Sequence, residues 1–412
     1  MATTISFFPV DNGDMTLICL GGKSAKTILI DCNIRAAADD PDDKTRDVGK
    51  DLRERLKRDV NGRPYVDVFL LSHPDQDHCR GLKKHFHLGA PADYADDKKA
   101  DSEKRITIGE MWSSPMVFRR ASIEHTLCDD AKAFNTEAKR RVAIAREKSC
   151  SGIEDGDRIL ILGEDEDGKT DDILAIVVKV DEDITKVNGS ASSVFKGRLL
   201  APMPKSESDE EEEEHRKNHS SVILNMELAD DDGRKTIKNF LSGGDAEVII
   251  WEKLWAKHKD APGILTYDLL QTPHHCSWHS LSRDSRSELG DKAKVSSDAK
   301  SALSQIRDGG RIVSSSRPIK NDDCDPPCHA AKKEYESITK GAKGEFLCTG
   351  EIPTESSPAP LEFTVSDQAL KRSVRQASIE APRVLTKPLI DDIRRRAAEA
   401  EAVQKGGNSR YA

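Results

Sequence analysis

The stretch Ser72-His73-Pro74-Asp75-Gln76-Asp77-His78 directly follows an apolar run at residues 66–71. Two imidazoles and two carboxylates therefore stand within six residues, at the point where a predicted strand ends in a loop. Imidazole and carboxylate groups are ligands for zinc, manganese or iron, and a short loop can direct several of them at one point. The stretch predicts a metal site at the end of a β-strand.

Two further apolar segments end in candidate ligands. Leu241-Ser242-Gly243-Gly244-Asp245 ends in a carboxylate, and Leu269-Leu270-Gln271-Thr272-Pro273-His274-His275 ends in two imidazoles. Proteins of the α/β class commonly build their sites from the loops at strand ends. The three segments together predict an α/β metal-dependent hydrolase.

The spacing in the first stretch resembles a known metal motif. His73-x-Asp75-x-Asp77-His78 is similar to the second metal motif of the metallo-β-lactamase superfamily, H-x-H-x-D-H, in the branch where the second histidine is an aspartate. That branch includes the nuclease-like domain of the DNA-uptake competence protein ComEC. Further segments resemble the branch in the same order, and the likeness covers residues 5–82, 218–280 and 310–350, about half of the chain. These segments are residues 8–18, 27–31, 218–224, 244–247, 273–277 and 326–329.

The resemblance implies an αββα sandwich, in which two mixed sheets lie face to face with helices outside. It also implies two divalent ions, Zn²⁺ or Mn²⁺, at one edge of the sheets between the strand-end loops. The ligands that it implies are His73, Asp75, Asp77, His78, His219, Asp245 and His275.

The resemblance also assigns roles within this set. It gives His73 and Asp75 to one ion and Asp77 and His78 to the other. Asp245 is expected to bridge the two ions.

Other residues are expected to act beside the ligands. His274 and His275 compete for the last ligand position, and the usual His-Gly ending of the motif mildly favours His275. Catalytic roles are expected for Asp77, His274 and His279. Asp31 and Asn218 are expected to support the ligands through hydrogen bonds.

The chain departs from the family pattern at two positions. The third motif normally contributes a histidine, and the only local candidate is His219, beside Asn218. Cys276 replaces the usual glycine after the two histidines, so a differently shaped loop is expected there. The alternative is a metal-free fold kept as a scaffold, but retention of the other motif residues argues against it.

Composition sets the broad class of protein. With 412 residues the chain can form one large α/β core with insertions, or two domains. No run of about 18 apolar residues and no basic-then-apolar N-terminus occur, so neither a membrane span nor a signal peptide is predicted. The nine cysteines are scattered and odd in number, which does not indicate a disulfide framework. These features predict a cytoplasmic protein.

The chain is predicted to consist of a hydrolase domain at residues 1–368 and a tail at residues 369–412. Within the domain the family pattern is lost at residues 83–217, which we interpret as an insertion that lies over or beside the metal edge. The acidic run at residues 205–216 is predicted to be a disordered loop. The tail is predicted to be helical at residues 369–375 and 389–404, and the tail or the insertion could bind a protein partner.

Phosphodiester hydrolysis is the predicted reaction, through a metal-bound hydroxide at a binuclear site. The resemblance implies a nuclease that acts on DNA or RNA. A net charge of −9 is unusual for a nucleic-acid binder, so two alternatives stay open. One is a phosphodiesterase for a small phosphoester, and the other is a non-catalytic protein that binds a partner.

Overall fold

The computed structural model describes residues 2–23, 25–39, 43–164, 168–204, 217–366 and 370–374. The chain divides into two units, Met1–Arg375 and Gln376–Ala412, and only the first contains described residues. The acidic run at residues 205–216 and the predicted helix at residues 389–404 lie outside the described residues. Among the described helices, none has both the length and the apolar character that crossing a bilayer requires.

One large sheet contains ten strands. They are β1 (Thr4–Phe7), β2 (Thr16–Cys19), β3 (Thr27–Ile30), β4 (Lys57–Arg58), β5 (Pro64–Leu70), β6 (Thr107–Ser113), β7 (Arg158–Leu162), β8 (Val177–Val178), β18 (Leu361–Thr364) and β19 (Lys371–Val374). Their order is β19-β18-β1-β2-β3-β5-β6-β7-β8, and β4 pairs with β5. The mostly apolar strand β5 is buried along its whole length because parallel neighbours, β3 and β6, flank it.

A second large sheet contains seven strands. They are β9 (Asp183–Ile184), β12 (Phe195–Ala201), β13 (Ile223–Ala229), β14 (Ile237–Ser242), β15 (Tyr267–Gln271), β16 (Ile306–Ser314) and β17 (Glu345–Cys348). Their order is β17-β16-β15-β14-β13-β12-β9, with β14 to β17 parallel to one another. A separate hairpin joins β10 (Lys186–Val187) to β11 (Ser190–Ala191).

The described α-helices are α1 (Val48–Arg53), α2 (Gln76–Cys79), α3 (Leu82–His85), α4 (Pro115–Glu124), α5 (Asp129–Glu147), α6 (Val248–His258), α7 (Arg286–Leu289), α8 (Ser297–Leu303) and α9 (His329–Gly341). The longest, α5, buries Ala131, Phe134 and Ala145 while Lys132 and Lys139 stay exposed. This spacing places one apolar face towards the protein interior.

Buried apolar side chains form three clusters. The first contains residues of both sheets, and in it the rings of Phe7 and Phe240 meet edge to face with centroids 5.6 Å apart. The second joins the ten-stranded sheet to α1 and α5, where Phe134 is buried. The third joins the seven-stranded sheet to α6, α8 and α9 through residues such as Trp251 and Tyr335. The protein therefore belongs to the α/β class, as the sequence predicts.

The structure differs from the sequence predictions in two regions. Residues 83–217 supply β6 to β9 and β12 to the two large sheets, so most of their described part is integral to the sheets and is not a separate insertion. Residues 125–128 lie beside Asp75 and Asp77. The helix predicted at residues 369–375 is wrong where it is described, because Lys371–Val374 forms β19 and pairs with β18. Pairing along a sheet edge overrides the local helical tendency of this segment.

Candidate metal centre

Four candidate ligand loops each follow the carboxyl end of a strand. Asp31 follows β3, His73 follows β5, Asp245 follows β14 and His275 follows β15. The strands β3 and β5 are parallel neighbours in one sheet, and β14 and β15 are parallel neighbours in the other. Parallel strands end at a common edge, so each pair of loops brings its polar side chains together.

The buried carboxylate of Asp31 holds the loop that follows β5. Its Oδ1 accepts a hydrogen bond from the backbone N–H of Ser72 at 2.7 Å, and its Oδ2 accepts one from Ser72 Oγ. The same Oδ2 lies 2.8 Å from Nδ1 of His78. Burial raises the pKa of Asp31, although the charge of His78 partly offsets the effect. A carboxylate on Nδ1 fixes the orientation of the ring and leaves Nε2 available to a cation.

Asp14 faces His275 at a longer distance than Asp31 faces His78. Its Oδ1 lies 3.3 Å from Nδ1 of His275, while Nε2 of that ring lies 3.4 Å from both Asp77 Oδ2 and Asp245 Oδ1. Nε2 of His78 lies 2.9 Å from the same Oδ1 of Asp245. Two imidazoles and two carboxylates therefore converge on one point.

The other carboxylate oxygen of Asp245 faces a different pair of imidazoles. Asp245 Oδ2 lies 3.9 Å from Nδ1 of His73 and 3.7 Å from Nε2 of His274. The residue is buried, and its backbone N–H donates to Ser221 Oγ at 3.0 Å. A carboxylate held between two groups of nitrogen ligands has the position needed to bridge two ions.

Charges within this cluster act against the effect of burial. Burial lowers the pKa of His78 and His275, but the facing carboxylates outweigh it and raise both pKa values well above the ordinary range. Burial raises the pKa of Asp245, and the facing imidazoles outweigh it and hold that pKa well below its usual range. At His73 burial dominates and lowers the pKa. The side chains alone thus form imidazolium–carboxylate pairs at neutral pH.

Many buried polar atoms of the cluster have no hydrogen-bond partner among the described residues. These atoms are Asp14 Oδ1, Nδ1 and Nε2 of His73, Nε2 of His78, Asp245 Oδ1, and Nδ1 and Nε2 of His275. Buried polar groups without partners are rare in folded proteins, and each needs an explanation. A divalent cation would satisfy them, because imidazole nitrogen and carboxylate oxygen suit zinc and manganese.

The ligand atoms fall into four overlapping groups of three, and within each group they lie no more than 4.8 Å apart. All of the side chains are buried except that of Asp77. The groups are His73, His78 and Asp245; Asp77, His78 and His275; Asp14, Asp245 and His275; and Asp14, Asp31 and His78.

Two loops reach the cluster in unusual backbone conformations. Gly13 has a φ of 146°, and a Cβ there would lie 2.7 Å from the carbonyl oxygen of Asp77, so a side chain would push this loop away from the cluster. His274, His275 and Cys276 have φ values of 49°, 51° and 69°. These values lie in the left-handed region that favours glycine. Cys276 therefore adopts a backbone conformation that glycine favours.

Asp75, a predicted ligand, belongs to none of the four groups. Its Oδ2 lies 2.5 Å from Nζ of Lys217 and 4.0 Å from Nδ1 of His73. The ammonium group of Lys217 thus occupies one side of this carboxylate. The role of Asp75 as a metal ligand stays a prediction.

His219, Asn218 and His279 also lie outside the four groups. Nε2 of His219 lies 3.0 Å from Glu247 Oε2, and Nδ2 of Asn218 donates to Glu247 Oε1 at 2.9 Å. Burial raises the pKa of Glu247, but His219 outweighs it and lowers the pKa. His279 is half exposed and lies 4.0 Å from Asp325 Oδ2. The roles predicted for these three residues stay predictions.

Sequence reasoning missed Asp14, Lys217 and Glu247. The glycine directly before Asp14 was the available signal, because glycine often marks a close backbone approach. No comparable signal distinguishes Lys217 or Glu247 from ordinary surface charges.

A recess of about 500 Å³ opens beside the cluster. Asp75 and Asp77 form part of its wall, together with Arg80 and Lys217. Cationic side chains beside the cluster suit an anionic group such as a phosphate.

No model of a known protein family matches this chain, and no curated protein matches it in sequence. The likeness to the metallo-β-lactamase superfamily therefore stays an interpretation of the motifs.

Proposed function

We propose that this protein is a metal-dependent phosphodiester hydrolase with the αββα fold of the metallo-β-lactamase superfamily. One observation carries the proposal. Buried ring nitrogens of His73, His78 and His275 and a carboxylate oxygen of Asp245 converge without hydrogen-bond partners among the described residues. Residues brought together in this way from the ends of separate strands suit a divalent-metal site.

The three apolar clusters support the proposed fold. A cluster shared by both sheets, with helices packed through separate clusters on each sheet, agrees with the layer order α, β, β, α. Metal ligands at strand ends agree with the same fold.

Two ions, Zn²⁺ or Mn²⁺, are proposed. His78, His275 and Asp77 would hold one ion, His73 would contribute to the other, and Asp245 would lie between them. Divalent ions at such a site lower the pKa of water and stabilise charge on phosphate oxygens. The protein's own contribution is to orient the imidazoles and to place cationic side chains in the recess.

The proposed substrate is a nucleic acid. Support comes from the motif resemblance and from Arg80 and Lys217 beside the carboxylates. A small phosphoester is the second candidate, because the chain carries a net charge of −9 and the recess of about 500 Å³ has the size of a small-ligand site.

The first experiment combines elemental analysis of the purified protein with an assay of bis-p-nitrophenyl phosphate hydrolysis in the presence of added Zn²⁺ or Mn²⁺. We expect close to two metal ions per chain and turnover that is lost in Asp77→Ala. Asp298→Ala, which removes an exposed carboxylate on α8, serves as the control and should keep full turnover. Absence of metal and of turnover after reconstitution would leave the non-catalytic, partner-binding function as the better explanation.

A second experiment separates the two substrate classes. Binding of single-stranded DNA or RNA that weakens steeply with salt would support a nuclease. Turnover of small phosphodiesters without such binding would support the small-molecule enzyme. We also propose a cytoplasmic location, since all nine cysteines are free thiols.

A further inference from the structure

Two thiols lie close together next to the metal centre. The Sγ atoms of Cys79 and Cys128 are 3.5 Å apart. Cys79 is fully buried and ends α2, directly after His78. Cys128 is partly exposed and caps the N-terminus of α5.

We propose that Cys128 and Cys79 form an oxidation site, at which a hydroperoxide converts the two thiols into a disulfide that joins α2 to α5. Cys128 is the thiol that reacts with the peroxide, and Cys79 is the thiol that resolves the product. This chemistry does not depend on the hydrolytic function proposed above.

The contacts of the Cys128 sulfur favour its thiolate form, which is the form that attacks a peroxide. The contact with the Cys79 sulfur lowers the pKa of Cys128 to about 6, although burial opposes the effect. The backbone N–H of Ala131 also donates to this sulfur, at 3.4 Å. The thiolate therefore forms on Cys128, the accessible cysteine at the N-terminus of α5.

The recess beside the metal centre gives a peroxide access to only one of the two sulfurs. Cys128 lines this recess together with Arg80 and Asp77, whereas Cys79 is buried behind it. A peroxide that enters from solvent therefore meets the thiolate first.

The reaction balances with one hydroperoxide as the oxidant. The Cys128 thiolate attacks a peroxide oxygen, so that an S–O bond forms, the O–O bond breaks and hydroxide leaves. Cys79 sulfur then attacks the sulfenic sulfur, so that the S–S bond forms, the S–O bond breaks and water leaves with the proton of Cys79. With hydrogen peroxide, two thiols give one disulfide and two waters. The sulfurs have to approach from 3.5 Å to about 2.05 Å.

Cys150 provides a matched control near the other end of α5. It lies just beyond the C-terminal end of α5 and is partly exposed, like Cys128. Burial raises its pKa, and Cys150 has no hydrogen bond to a second thiol among the described residues. At pH 6 we expect iodoacetamide to alkylate Cys128 roughly tenfold faster than Cys150, after allowing for the lower nucleophilicity of a low-pKa thiolate.

The test treats the full-length protein with one equivalent of hydrogen peroxide, blocks the remaining thiols with N-ethylmaleimide and identifies linked peptides by mass spectrometry. We expect a peptide pair joined through Cys79 and Cys128, reversed by dithiothreitol and unchanged in Cys150→Ser. In Cys79→Ser the sulfenic acid should persist at Cys128 and be captured by dimedone. Wild-type protein in which these two residues stay reduced, or in which Cys150 oxidises equally fast, would overturn the proposal. Because the readout is the covalent state of the thiols, it is separate from any test of hydrolysis.

Discussion

The carboxylate of Asp31 lies 2.8 Å from Nδ1 of His78, and this contact fixes the ring so that its Nε2 lies 2.9 Å from Asp245. The contact joins the end of β3 to the loop after β5. Asp31 thereby orients a candidate ligand that lies 47 residues further along the chain. Asp14 Oδ1 faces Nδ1 of His275 at the longer distance of 3.3 Å, so both of these imidazoles have a carboxylate on the side away from Asp245.

Asp31→Asn should lower metal affinity about 10- to 100-fold, because an amide orients the imidazole less well and no longer carries charge. Asp14→Asn should have an effect of the same order through His275. Titration of the metal-stripped proteins with zinc, in competition with a chromophoric chelator, measures both. Asp67→Asn is the control, since Asp67 is a buried carboxylate on β5 that pairs with Lys26 and Lys57 instead of a histidine. Wild-type affinity in both Asp31→Asn and Asp14→Asn would contradict the orienting role.

Zinc binding at pH 7 should release roughly two protons per chain, because each protonated imidazole has to lose a proton before it can bind a cation. The raised pKa values of His78 and His275 mean that both rings are protonated at this pH, whereas His73, with its lowered pKa, contributes none. Calorimetric titrations in buffers of different ionisation enthalpy count the protons.

The sign of the pH dependence follows from the same shifts. Metal affinity should fall as the pH is lowered, since protons compete with the cation at His78 and His275. In the metal-stripped protein the two imidazolium pairs stabilise the fold below their raised pKa values, and this contribution is lost as the pH rises through those values. Zinc binding without proton release would show that the imidazoles are already neutral.

Lys217→Ala should raise KM for a phosphodiester about tenfold with a smaller effect on kcat, because a charged hydrogen bond to substrate contributes about 1.5–3 kcal/mol. Lys217 lines the recess and holds Asp75 at 2.5 Å. Steady-state kinetics on bis-p-nitrophenyl phosphate measures the effects on KM and on kcat separately. Lys139→Ala, which removes an exposed lysine on α5, is the matched control and should leave both constants unchanged. An unchanged KM in Lys217→Ala would remove this residue from the substrate site.

The sequence predicts much of the candidate centre because its ligands lie in short motifs at strand ends. His73, His78, Asp245 and His275 were predicted from these motifs, and the structure places them together. Asp14 could not be predicted with them, because its position depends on how the turn between β1 and β2 folds back onto Asp77. A contact of that kind is set by tertiary structure, and the adjacent glycine is its only sign in the sequence.

The fold is predictable to a similar extent. The apolar segments that end in candidate ligands predict the α/β class, and the structure confirms it. The membership of β6 to β9 and β12 in two different sheets depends on pairing between distant segments, which the local pattern does not encode. The exposed residues of β19 have no apolar face that would distinguish a strand from a helix.

Phe7 and Phe240 provide a test of the packing between the two sheets. Phe7 lies in β1 and Phe240 in β14, and their rings meet edge to face at 5.6 Å. Each Phe→Leu change should lower the free energy of unfolding by about 1–1.5 kcal/mol. A double-mutant cycle should give a coupling of about 0.5–1.5 kcal/mol, the range for aromatic pairs.

Phe134 supplies the comparison for this cycle, since it belongs to the cluster on the other face of the ten-stranded sheet. Phe7→Leu and Phe134→Leu should therefore be additive within about 0.5 kcal/mol. Urea denaturation of the single and double variants measures both cycles. Equal coupling in the two pairs, or none between Phe7 and Phe240, would contradict face-to-face packing of the sheets. Coupling confined to Phe7 and Phe240 would establish in solution the contact that brings the two sets of ligand loops to one edge.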